Sequence, residues 1–505
     1  MAATIPEALI RADREFGDAE AVADPRFQVR YGFTELHRRV RRVANRLAVA
    51  GVRPGARVAV CSPNTYHWIE AALGILYAGA TLVPVNTRFT GPEMADVIRR
   101  SRAVALFLAR PFLGVDRQAE LRAAGLEPLP TFRIPVEGPG GDDTWDTDWD
   151  IDRDTGDGPA ERGPVSPDAV SDILFTSGTT GRSKGAMSTH RQSLGVARVW
   201  ARCAGLTPAD RYLVINPFFH SFGFKAGILA CLVSGATLVP QAVFDAGAAM
   251  RLVERERITV LPGPPTIYQT MLDSPLRTNC DLSSLRLAVT GAATVPVALV
   301  ERMRAELGVA VLTAYGLTEA VVATMCRPDD DPDTVATTSG RAVAAMAVRI
   351  ADGTGEILLR GPNVMLGYVD DPAGTAEAID ADGWLHTGDV GRLDERGYLT
   401  ITDRLKDMYV CGGFNVYPAE VEQVLARLDG LAESAVIGVP DERLGEVGKA
   451  FVIAAPGRTV SAEEVLLHCK RLLANYKVPR HVEIRAELPR NPSGKILKRL
   501  LRSIP

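Results

Sequence analysis

Short apolar runs alternate with helix-patterned segments along most of this chain. Arg57 to Cys61 (RVAVC), Asp172 to Phe175 (DILF), Thr259 to Leu261 (TVL) and Arg286 to Thr290 (RLAVT) read as buried strands. Each lies between segments of helical periodicity, and strand-then-helix alternation predicts mostly parallel sheets. Two segments resemble each other: Gly74 to Pro84 reads GILYAGATLVP and Gly227 to Pro240 reads GILACLVSGATLVP. Each is an apolar helix, a Gly stop and a Thr/Leu/Val strand closed by Pro. The shared GATLVP ending predicts two related α/β layers.

The rhythm changes near Asp389. Gly388 to Thr402 (GDVGRLDERGYLTIT) predicts two short strands around a Gly-containing turn, and a new βα alternation follows to the end. The boundary is placed at Arg404 to Lys406, giving a large unit of residues 1–404 and a small one of 405–505. Glu137 to Val170, rich in Gly, Asp and Pro, reads as a surface loop. From Lys470 onward there are ten Lys or Arg and two Glu, consistent with a solvated helical surface or with attraction for an anionic nucleotide or coenzyme.

Composition narrows the class. The 505 residues suggest roughly three units at about 100 to 200 residues each. A content of 46% apolar and 23% charged residues excludes wholesale disorder. A net charge of -4 argues against nucleic acid as the main partner. Seven cysteines, odd in number and without a CxxC pair, fit a reduced intracellular protein rather than a disulfide framework or zinc site. The N-terminus has no apolar h-region. The greasiest stretches, Ala71 to Val85 and Ala226 to Pro240, run 15 residues each and are too short to span a bilayer. A cytoplasmic protein without a stable membrane anchor is expected; nothing here speaks to its oligomeric state.

The chemistry concentrates in Thr176 to Gly185 (TSGTTGRSKG), directly behind the DILF strand. Glycines let the backbone approach a ligand, and exposed amides and hydroxyls can cradle phosphate oxygens. Lys184 adds a point charge. Because Lys184 precedes Gly185 rather than Ser or Thr, the Walker pattern fails.

With this loop, four further motifs resemble the adenylate-forming enzymes, a family of acyl-CoA synthetases, luciferases and peptide-synthetase adenylation domains. They are YGLTE (Tyr315 to Glu319), TGD (Thr387 to Asp389), DRLKDMYVCGGFNVYPAEVE (Asp403 to Glu422) and PRNPSGKILKR (Pro489 to Arg499). The resemblance covers nearly the whole chain. It implies an α/β fold: a large N-terminal domain of two related α/β layers plus a smaller β-subdomain, with a small, mobile α+β C-terminal domain. It implies ATP, Mg²⁺ and CoA, and two steps. A carboxylate attacks the α-phosphorus of ATP, releasing pyrophosphate; CoA thiolate then displaces AMP.

The same resemblance implies the roles. Thr176, Ser177, Gly178, Thr179, Thr180, Gly181 and Lys184 hold phosphate. Gly291, Ala292 and Ala293 approach adenine and the acyl group. Tyr315 stacks on adenine beside Gly316, Thr318 offers a hydroxyl to phosphate, and Glu319, with Thr180, meets Mg²⁺. Asp389 clamps the ribose, and Arg404 binds ribose and phosphate. Lys495 is the adenylation lysine and Lys406 the hinge. Rotation about that hinge brings Gly412 and Gly413 to the pantetheine tunnel. His220 gates the acyl and CoA sides, and Phe222 walls an apolar acyl pocket.

Lys225, a charge among apolar residues, is expected either to bond a ring ketone of the acid or to snorkel to the surface. Within the family, Ile215 to Leu232, Ile258 to Gln269 and Leu287 to Met303 resemble the actinobacterial ligases for the bicyclic methyl-dioxo-octahydroindenyl propanoate left from steroid rings C and D. The alternatives are a ligase for medium-chain or cyclic fatty acids, an adenylation enzyme loading a carrier protein, and a nucleotide-binding regulator without chemistry.

Overall fold

Four sheets organise the chain. The computed structural model describes residues 2–136, 164–176, 183–291, 295–405, 407–411, 414–441, 443–473, 475–490 and 496–503, without the side chains of 403, 404, 414 and 415. The GATLVP strands, Thr81–Pro84 and Thr237–Pro240, take matching places in two of the sheets. The first lies in a seven-stranded sheet between Arg57–Cys61 and Val170–Phe175, the second in a nine-stranded sheet between Arg211–Val214 and Glu20–Asp24. Both sheets are parallel in the middle; the nine-stranded sheet is antiparallel at both edges and the seven-stranded sheet at one. Both strands are fully buried, as two-sided coverage by helices requires. Gly79 and Gly235, each with positive φ, end the preceding helical turns.

Arg57–Cys61 coincides with its sequence expectation; the others shift by one or two residues, to Val170–Phe175, Val260–Gly263 and Leu287–Gly291. The turn-bearing segment after Gly388 forms Leu385–Leu393 and Leu399–Arg404, paired antiparallel in a four-stranded sheet. Most of the expected surface loop, residues 137–163, lies outside the described residues.

The last sheet draws only on strands from Tyr409 onward and is flanked by the helices Pro418–Leu425 and Ala462–Leu472. It has a core of its own around Tyr409, Val421, Leu425, Val436, Val452 and Val465. Several cations of the basic C-terminal stretch are turned inward to acids of the same region. Lys477 meets Glu420 at 2.6 Å and Lys498 meets Glu422 at 2.8 Å. Arg490 pairs with Glu433, and Arg502 lies 3.1 Å from Asp407.

All seven cysteines are free; six are buried and Cys280 is half-buried. Burial pushes the Cys61 thiol up to about 12 and that of Cys469 up to about 11. Among the described residues, no helix is long and apolar enough to cross a membrane.

Candidate functional site

The strands Val170–Phe175 and Gly185–Thr189 run antiparallel and form the two sides of the phosphate-loop hairpin. Its mouth is closed by the Thr176 amide, which donates to the Lys184 carbonyl at 2.9 Å. Ser177, Gly178, Thr179, Thr180 and Gly181 lie outside the described residues. Lys184, at the hairpin's exit, holds its ammonium 4.9 Å from the centre of the Tyr368 ring and 3.8 Å from Asp371 Oδ2. Tyr368 arrives on the short strand Gly367–Tyr368, which adds antiparallel to Gly185–Thr189 at the sheet edge. Its hydroxyl donates to Glu319 Oε1 at 2.7 Å. Burial, and then the Glu319 charge, push the Tyr368 pKa far up, so the phenol remains a donor. One tyrosine thus touches both the loop's lysine and the carboxylate expected at a metal.

Glu319 sits on a turn that the sequence folds tightly. A Cβ on Gly316 would stand 1.9 Å from the Val321 carbonyl oxygen, so only glycine fits there. The Tyr315 carbonyl accepts from the Ala323 amide at 2.9 Å, and the Glu319 carbonyl from the Met365 amide at 2.7 Å. Thr318 is half-buried on this turn. Beside it, the parallel strands Leu287–Gly291 and Ala310–Tyr315 approach so closely that a Cβ on Gly291 would meet the Ala314 oxygen at 2.4 Å. Ala292 and Ala293 lie outside the described residues.

Tyr315 ends its strand buried, and its hydroxyl donates to Asp389 Oδ2 at 2.7 Å. Asp389 is itself fixed by its neighbours. The Thr387 hydroxyl donates to the Ile357 carbonyl at 2.7 Å, and the Gly388 amide donates to Glu356 Oε1 at 2.9 Å. In the strand register Asp389 stands opposite Arg404. The two residues expected at the ribose are therefore backbone partners, with Tyr315 bonded to one of them. Lys406, Gly412, Gly413 and Lys495 lie outside the described residues.

His220 caps the short helix Ser221–Gly223: its Nδ1 accepts from the Phe222 amide at 3.3 Å. Burial lowers its pKa. Phe222 is half-buried and meets Trp200 edge-on at 5.1 Å between ring centres.

One expectation for Lys225, that it snorkels to the surface, is corrected. Its side chain is 1% exposed, so it does not snorkel. Its ammonium lies 2.9 Å from Asp172 Oδ2 and donates to Ser188 Oγ at 2.8 Å. A buried cation must find a partner, and here Asp172 and Ser188 of the hairpin strands supply it.

Sequence reasoning missed Tyr368, Asp371 and Arg100. The last donates to the Ser183 carbonyl at 2.7 Å and stacks 5.4 Å above Phe175, bracing the hairpin exit. A cavity of about 560 Å³ opens here, lined by Arg99, Arg100, Lys184 and Asp371 together with the Arg102–Asp370 ion pair. No local motif marks these residues; they meet through pairing between distant segments. Among the described residues no three His, Cys, Asp or Glu converge as a metal cage. Glu319 alone suits a hard cation that takes its other ligands from water and nucleotide phosphates.

Comparison with known proteins shows the family. Residues 9–369 match the family model for AMP-binding enzymes, and residues 420–495 match that for the AMP-binding enzyme C-terminal domain. The chain is 62% identical to the 3-[(3aS,4S,7aS)-7a-methyl-1,5-dioxo-octahydro-1H-inden-4-yl]propanoyl:CoA ligase of Rhodococcus jostii, over 99% of this chain and 98% of that protein. It is 58% identical to the ligase of the same name from Mycobacterium tuberculosis, over 99% of each. Among solved structures, ATP-bound MatB from Rhodopseudomonas palustris superposes with a TM-score of 0.88 at 31% identity, covering 99% of this chain and 98% of that one. The anthranilate CoA ligase AuaEII in complex with anthranoyl-AMP gives 0.88 at 27% identity, covering 100% and 98%. With both family models matched, the first over residues 9–369, this chain belongs to the AMP-binding, adenylate-forming enzymes.

Proposed function

We propose that this protein is an ATP-dependent acyl-CoA ligase acting on the bicyclic methyl-dioxo-octahydroindenyl propanoate of steroid-ring degradation. The observation that carries the substrate is the near full-length identity to two ligases named for that acid. In the first half-reaction the carboxylate oxygen attacks the α-phosphorus and pyrophosphate leaves. In the second, the CoA thiolate adds to the acyl carbonyl and AMP leaves.

Negative charge gathers at both centres, so catalysis rests on positioned cations and donors. Lys184 and the 176–185 loop take the phosphates. Tyr315, Gly291 and Gly316 form the adenine wall, Asp389 and Arg404 take the ribose, and Thr318 offers its hydroxyl to phosphate. Glu319, oriented by Tyr368, holds Mg²⁺, with Thr180 as its partner; when bound with the nucleotide, the ion neutralises phosphate charge. Lys495 bridges the carboxylate and α-phosphate. His220 stands between the acyl and CoA sides, and Phe222 walls the acyl pocket.

Residues 1–404 form the nucleotide-binding domain and 405–505 the cap, which turns at Lys406 to carry Gly412 and Gly413 to the pantetheine. The protein works in the cytoplasm.

The test is CoA-dependent AMP release over a panel of the bicyclic propanoate, medium and long fatty acids, aryl acids and malonate. The bicyclic acid should give the highest kcat/KM with free CoA alone. A higher value for another class would replace the substrate, and product only with a carrier protein would replace the acceptor.

A further inference from the structure

Lys225 has a wider consequence than its correction suggests. It lies on a single π-turn, Phe224–Leu229, five residues after His220. Turns of this kind insert one extra residue into a helix and recur at functional positions. The Ala226 carbonyl on this turn accepts from the Tyr212 hydroxyl at 2.6 Å, which pins the turn to the nine-stranded sheet. From it the ammonium reaches the seven-stranded sheet: Asp172 is on the strand entering the phosphate loop and Ser188 on the strand leaving it. Asp172 Oδ1 in turn accepts from Ser171 Oγ and Ser193 Oγ, each at 2.7 Å, so the helix His190–Cys203 joins the same knot.

A buried ion pair is a poor way to gain stability. Apolar groups of similar size are often neutral or better, whereas removing one partner alone is costly. What such a pair does supply is a single allowed register between the elements it joins, because a shifted arrangement strands a charge away from water.

We infer that the Lys225–Asp172 pair is a positioning element that fixes the base of the phosphate hairpin against the turn carrying His220 and Phe222, aligning α-phosphate and acyl carboxylate for the first half-reaction. This rests on the ligase reading above. Neither residue touches the reacting atoms. Their effect passes through the hairpin, and the pyrophosphate it faces during adenylation has left before the thioester forms.

The test uses the full-length protein with Lys225→Met and Asp172→Asn combined, which removes both charges at similar volume. Two rates are read: acid-dependent exchange of pyrophosphate into ATP, and thioester formation from supplied acyl-adenylate and CoA. The inference expects the kcat of exchange to fall at least tenfold while thioester formation stays within threefold. An equal fall in both rates reduces the pair to general stability and overturns the inference, as does unchanged exchange. If the double variant does not yield folded protein, Asp172→Glu takes its place. That variant keeps the charge but lengthens the pair, and the same split between the two rates is required. A wild-type enzyme that exchanges no pyrophosphate with any acid would instead fault the ligase reading.

Discussion

The hydroxyl of Tyr315 donates to Oδ2 of Asp389 across 2.7 Å, joining the end of a parallel strand in one sheet to an antiparallel strand in another. The residue expected against adenine and the residue expected at the ribose are thereby one unit. Tyr315→Phe keeps the ring and removes the bond. A hydrogen bond to a charged group contributes about 1.5–3 kcal/mol, and 1.4 kcal/mol is a factor of ten. The KM for ATP should rise about tenfold with the KM for the acid little changed. Steady-state kinetics showing an unaltered KM for ATP would separate the two residues functionally.

Tyr368 makes the second linkage, from its hydroxyl to Glu319 and from its ring to Lys184. Groups that orient a metal's ligand typically change its affinity by about 10- to 100-fold when removed. Tyr368→Phe, which retains the ring, should raise the Mg²⁺ concentration needed for half-maximal pyrophosphate exchange by about tenfold. Tyr368→Ala should add a weaker grip on ATP. If the Mg²⁺ dependence of the Phe variant matches wild type, the hydroxyl does not act through Glu319.

Lys495 is assigned to one step only. Loss of one stabiliser of developing charge typically lowers a rate by about a hundred- to thousandfold. Lys495→Ala should lose that much in pyrophosphate exchange yet still convert supplied acyl-adenylate and CoA to thioester. Rapid mixing of both half-reactions measures the difference. Equal losses in the two would end its assignment to activation.

His190 supplies a pH prediction. It is buried, its Nδ1 accepts from the Ile5 amide at 3.3 Å, and burial lowers its pKa to about 4. The unfolded chain protonates this ring near pH 6.5 while the folded one holds it neutral, so its contribution is complete above that pH and is lost on acidification down to about 4. His190→Asn keeps an acceptor and cannot titrate. Between pH 7 and 4.5 the wild type should lose about 2–3 kcal/mol more stability than this variant. Denaturant unfolding at the two pH values reads the difference, and parallel losses would show that His190 is not the titrating group.

Much of this architecture was legible because its signals are local. A five-residue apolar run ahead of a helical pattern defined Arg57–Cys61, and the Gly-Ala-Thr-Leu-Val-Pro endings marked equivalent strands in two sheets. The phosphate hairpin was visible because its hydroxyls, glycines and lysine are contiguous. Tyr368 and Asp371 were not visible, because what brings them to Lys184 is antiparallel pairing at a sheet edge between segments far apart in the chain. Lys225 shows the same limit more sharply. Hydropathy says that a lysine among apolar residues needs a partner, but that Asp172 rather than solvent meets it is decided by how two sheets pack.

The state of the cysteines bears on the fate of the intermediate. An acyl-adenylate is a mixed anhydride, open to capture by any thiolate within reach. Burial raises the thiol pKa values of Cys61, Cys203, Cys231, Cys326 and Cys469 and so favours their protonated forms. Those sulfurs are poor nucleophiles and poorly placed to collide with a ligand. The sulfur of an incoming coenzyme therefore meets no rival among these five.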